Sequence, residues 1–88
     1  MCRSIRPLFN FDPPATDEEV RAAARQFVRK LGGFHSPSRA NEAAFERAVE
    51  GVSRVAREFI DGLVTTAGPR NREAEAAKAR ARAARRYL

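Results

Sequence analysis

The sequence predicts an all-α protein, a small three-helix bundle with an ordered N-terminal arm packed on it. Three observations carry the prediction. Two stretches place apolar residues at helical spacing, a third is rich in alanine, and the turn-forming runs GGFHSPS and TTAGP separate them. Eighty-eight residues suffice for one domain, spanning residues 1–88, and are too few for two.

The chain opens MCRSIRPLFNFDPPAT. Ile5, Leu8, Phe9 and Phe11 read as anchors that lay an arm, residues 1–15, over the bundle. Pro13 and Pro14 hold an extended lead into the first helix. That helix is expected over residues 17–32, because Thr16 followed by Glu19 is a capping box and Asp17 and Glu18 suit the positive end of the helix dipole. Val20, Ala23, Ala24, Phe27, Val28 and Leu31 fall on one face, and Gly32 and Gly33 supply the left-handed geometry that stops the helix.

The second helix is expected over residues 39–65, after a loop in which Phe34 anchors to the core and Ser36 or Ser38 serves as cap. Phe45, Val49, Val52, Val55, Ala56, Phe59, Ile60 and Leu63 form its apolar stripe, with oppositely charged residues such as Arg57 and Asp61 four apart on the solvated side. Gly68 and Pro69 break the chain. A third helix over residues 70–87 has Glu73 and Glu75 near its start and Arg85 and Arg86 near its end, which complements the dipole. Ala74, Ala77, Ala81, Ala84 and Leu88 repeat at alternating spacings of three and four, a coiled-coil-like seam of small side chains. A seam of that kind lets another helix approach closely but buries little area, so this helix is expected to be the least stable.

No apolar run approaches the roughly 20 residues needed to cross a bilayer, and Arg3 and Arg6 interrupt any signal-peptide core. The expectation is a cytoplasmic protein with no membrane partner. One cysteine forms no internal disulfide. Cys2 and His35 are single copies of the residues most diagnostic of metal or nucleophilic chemistry, and no third group is spaced to join them. No metal site, cofactor or small-molecule substrate is therefore expected. The carboxylates are accounted for by the helix start and by arginine partners, and GGFHSPS lacks the lysine and glycine spacing of a phosphate loop. The sequence points away from an enzyme.

The net charge is +6. It comes from 15 Arg and 2 Lys beside 17 Ala, a skew that GC-rich coding also produces, so placement matters more than the total. Net charge is +3 over residues 1–40, −2 over 41–69 and +5 over 70–88. Arg21, Arg25 and Arg29 stand four apart on helix one with Lys30 further round, and Lys78, Arg82, Arg85 and Arg86 form a strip on helix three. Two such strips on neighbouring helices could straddle a phosphate backbone of RNA, DNA or a nucleoprotein. The same arginines also serve as helix formers and as partners for the acidic side of helix two. No signature of base-specific reading accompanies them.

Two rival readings stand beside polyanion binding. One is a protein-interaction adaptor or homodimer built on the alanine seam of helix three. The other is a redox-responsive protein acting through Cys2: removal of Met1 would make it the amino terminus, and Arg3 or the terminal ammonium would favour its thiolate. MCRSIRPLFNFDPPATDEEVRAAARQFVRKLGG, followed by PSRANEAAFERAV, resembles the small bacterial family catalogued as domain of unknown function 2277. The resemblance implies a short helical protein with no assigned activity, cofactor or catalytic residue.

Overall fold

A computed structural model of the chain describes residues 5–86. After a short strand β1 (Phe11–Asp12) and a cis Asp12–Pro13 peptide, Thr16 caps helix α1 (Asp17–Gly32). The Thr16 hydroxyl accepts from the Glu19 amide at 3.1 Å, and the Glu19 carboxylate accepts from the Thr16 amide at 3.0 Å. At the other end Gly33 adopts φ 76°, and its amide donates to the Arg29 carbonyl at 2.8 Å. Both ends fall where local chemistry predicts.

The second helix is shorter than its expected span of 39–65. Arg39–Asn41 form a single 3-10 turn, and α2 runs Glu42–Gly62. Beyond it the β-branched residues Val64, Thr65 and Thr66 disfavour helix, and the Thr65 hydroxyl accepts from the Ala67 amide at 3.1 Å, a local turn that competes with continuation. The third helix, α3 (Arg72–Arg86), starts two residues after Arg70 because the Asn71 side chain accepts from the Ala74 amide at 2.9 Å and acts as cap. Arg70–Asn71 instead form β2, which pairs parallel with β1 in the register Phe11–Arg70 and Asp12–Asn71. The Arg70 amide donates to the Asn10 carbonyl at 2.7 Å, while Asn10, at φ 65°, donates its side-chain amide to the Gly68 carbonyl at 3.0 Å. The expected all-α protein is thus mostly α, three helices and a two-stranded sheet.

Arg21 pairs with Glu50, Arg25 with Glu46 and Asp17 with Arg57, so α1 and α2 run antiparallel. Between them lie Val20, Ala24 and Val28 of α1 and Phe45 and Val49 of α2. The Phe34 ring packs on Phe45 with centroids 6.0 Å apart, as expected of a loop anchor. The arm joins this pair at Ala15, which is buried and whose carbonyl accepts from Arg57 Nη1 at 3.0 Å; Leu8, Phe9 and Phe11 are half-buried and Ile5 is exposed.

Half of each predicted stripe is covered and half is not. Phe27, Leu31, Val55 and Phe59 are 42, 71, 58 and 65 % exposed, because each helix has one helical neighbour where a bundle would give it two. The α3 seam residues Ala74, Ala77, Ala81 and Ala84 are also exposed; Leu88 lies outside the described residues. The molecule measures 43 × 38 × 17 Å with a radius of gyration of 15.5 Å, against about 12 Å for a compact chain of this length. It is a plate roughly one to two helices thick. Among the described residues no helix is long and apolar enough to cross a membrane.

Candidate functional site

The α3 helix reaches the rest of the protein through its first turn. Arg72 Nη2 and Nη1 donate to the two Glu19 carboxylate oxygens at 2.9 and 3.0 Å, and its Nε donates to the Pro13 carbonyl at 2.8 Å. The Phe11 ring lies under both Arg70 and Arg72, at 5.6 and 5.7 Å from the guanidinium carbons. The Arg72 hydrogen bonds, and next the Thr16 amide, hold the Glu19 carboxyl at about 2, below its ordinary 4.5.

This attachment leaves a cleft of about 840 Å³ between the arm, the side of α1 turned away from α2, and α3. Its walls are small: Ala22 and Ala23 from α1, Ala76 and Ala79 from α3. Arginines come to it from every element around it, namely Arg6 from the arm, Arg29 from α1, Arg70 from β2, Arg72 from the start of α3, and Arg82 from the body of that helix. Arg72 is neutralised by Glu19, and Glu75, also on the cleft, lies 3.7 Å from Lys78. Among the described residues no carboxylate pairs with Arg6, Arg29, Arg70 or Arg82. The Arg29 Nε is buried with no hydrogen-bond partner. An aimed guanidinium lacking a counter-ion is a ready donor for a carboxylate or phosphate oxygen.

The predicted strip on α1 therefore divides. Positions four apart advance about 40° around a helix, so the ridge winds from the flank facing α2 towards the cleft. Arg21 donates to Glu50 at 2.7 Å and Arg25 donates to Glu46 at 3.0 and 3.2 Å, the latter also over the Phe45 ring at 5.5 Å. Only Arg29 reaches the cleft. Lys30 lies with Arg29 on a second, shallower hollow of about 350 Å³ that His35 also lines. On α3, Arg82 lines the cleft, Lys78 turns to Glu75, and Arg85 Nε reaches the Ala81 carbonyl at 3.5 Å. Cys2 and Arg3 lie outside the described residues, as does the side chain of Arg86. Among the described residues no three His, Asp or Glu side chains gather as a metal ion would require.

Sequence reading missed Arg6, Arg70 and Arg72. No local pattern marks them, since each acts on a surface made by segments more than fifty positions apart.

The family described as an uncharacterized conserved protein, DUF2277, matches residues 1–78, and the chain belongs to it. No curated protein and no solved structure matches the chain.

Proposed function

We propose that this member of the DUF2277 family is a non-catalytic binding module whose arginine cleft takes the phosphate backbone of a nucleic acid. The observation that supports the reading is the convergence on one cleft of Arg6, Arg29, Arg70 and Arg82, none of which pairs with a carboxylate among the described residues. Planar guanidiniums bind phosphate oxygens in two-pronged fashion, and the alanine walls leave the groove open to a chain-like ligand. The +6 net charge favours encounter with a polyanion. The reading is of backbone recognition, since Phe11 is the one aromatic among the described residues that line the cleft and stacking on successive bases takes more than one.

Titration of a labelled single-stranded oligonucleotide at several salt concentrations tests this. Affinity should fall linearly on a double-logarithmic plot, and Arg29→Gln with Arg82→Gln should reduce the slope by roughly 0.7 per lost contact. Arg21→Gln with Arg25→Gln should leave the slope unchanged. Binding insensitive to salt, or a double cleft variant that binds as the parent does, rejects the reading.

A further inference from the structure

The ion pairs Arg21–Glu50 and Arg25–Glu46 line one broad face of the α1–α2 pair. At 100° per residue from those markers, Phe27 and Lys30 of α1, with Leu31 at the edge, and Ala48, Val52, Val55 and Phe59 of α2 fall on the opposite face. Apart from Lys30 that face is apolar, and in a plate 17 Å thick no described residue of the arm or of α3 buries Phe27, Leu31, Val55 or Phe59.

We infer that this face docks a second copy of the chain, with α2 crossing its counterpart antiparallel between Gly51 and Val52. The sequence of α2 is self-complementary about that point. Ala48 stands three residues before Gly51 and Val55 three after Val52; Ala44 stands seven before and Phe59 seven after. An antiparallel pair centred there sets each Val55 over an Ala48 and each Phe59 over an Ala44, so the large side chains of one copy meet the small ones of the other. Phe27, level with Ala44 on α1, offers the arriving Phe59 an aromatic wall.

Gly51 bears on the same point. A β-carbon built there would meet nothing within 4 Å, so nothing in the single chain calls for glycine in the middle of this helix, where it weakens helix formation. Close approach of a second backbone does call for it. Charge fits as well: the register brings Glu58 beside the second copy's Arg47, twice by symmetry, and among the described residues neither has an ion-pair partner within the chain. The face measures about 30 Å along α2 and about 20 Å across the two helices. That is of the order of the roughly 800 Å² per partner that stable dimers bury. The product is a four-helix assembly of two hairpins, independent of the arginine cleft.

Sedimentation equilibrium on the full chain tests the inference. The parent should show the mass of two chains, and Gly51→Leu and Phe59→Ser should each weaken the dimer at least about tenfold. A β-carbon at position 51 meets nothing in the single chain, so unchanged helix content with lost dimerisation separates interface from folding. Arg47→Glu should weaken the dimer and Glu58→Arg added to it should restore it. A parent that stays monomeric at high concentration overturns the inference. So does a dimer that survives Gly51→Leu but dissociates on Ala77→Glu, which would place the contact on the α3 seam.

Discussion

Arg72 holds Glu19 by both carboxylate oxygens, at 2.9 and 3.0 Å, across 53 positions of sequence. The carboxylate that completes the cap of α1 is thus the one that fastens α3, so one side chain sets where the first helix begins and where the third is attached. Because the cleft is bounded by those two helices, its shape depends on this contact.

The first prediction concerns α3 alone. Arg72→Ala removes the ion pair, the bond to the Pro13 carbonyl and the contact with Phe11. Amide exchange across α3 should then rise towards unprotected rates, since an isolated helix of 15 residues is marginal in water. Exchange at Val20, Val28 and Val49, in the α1–α2 core, should be little changed. Equal loss of protection in all three helices would show that α3 is integral to the core.

Acid should act through the same carboxylate. Glu19 has its folded pKa lowered to about 2 from 4.5, so its contribution is fully present above pH 4.5 and is lost as pH falls through 2. Glu46 and Asp61 are lowered too, by hydrogen bonds from Arg25 and Arg57 respectively, and act in the same direction. The urea midpoint should therefore decline as the solution is acidified below pH 4.5, and Glu19→Gln should flatten that decline. A parallel decline in parent and variant would remove Glu19 from the acid response.

Capping gives a local test. Thr16→Ala leaves the Glu19 amide without its side-chain acceptor, and should lower stability by about 1 kcal/mol, read from denaturant unfolding. Thr16→Ser and Thr16→Asp should preserve most of it, because each keeps an oxygen at that position.

These features divide by how far apart their partners lie. Thr16, Glu19 and Gly33 were legible because capping and left-handed termination act over three or four residues of chain. The Asn71 cap is equally local, but the highly helical composition around it hid the boundary. The β1–β2 pair and the Arg72–Glu19 contact join segments with no periodic pattern between them, and three of the five cleft arginines, Arg6, Arg70 and Arg72, belong to no recognisable strip. Apolar periodicity reported that Phe27, Val55 and Phe59 sit on helix faces made for burial; it could not report that α3 leaves them uncovered. The spacing of Arg21, Arg25 and Arg29 puts them on one ridge, yet which of them stays unpaired depends on where α2 lies.

The turn after α1 supplies the last prediction, in which neighbouring glycines fail for different reasons. Gly33 sits at φ 76°, where a β-carbon is strained whatever the surrounding space, so Gly33→Ala should cost about 1 kcal/mol and Gly33→Asn less. Gly32 is different: a β-carbon there would come within 2.7 Å of the Phe34 ring, which packs on Phe45. Gly32→Ala must push that ring aside and should destabilise the parent. In a Phe34→Ala background the obstruction is gone, and the higher helix propensity of alanine should make the same change stabilising by up to about 1 kcal/mol. The reversal of sign between backgrounds, measured as a double-mutant cycle in denaturant, is the diagnostic result. If Gly32→Ala destabilises both backgrounds equally, the Phe34 ring is not what requires glycine there.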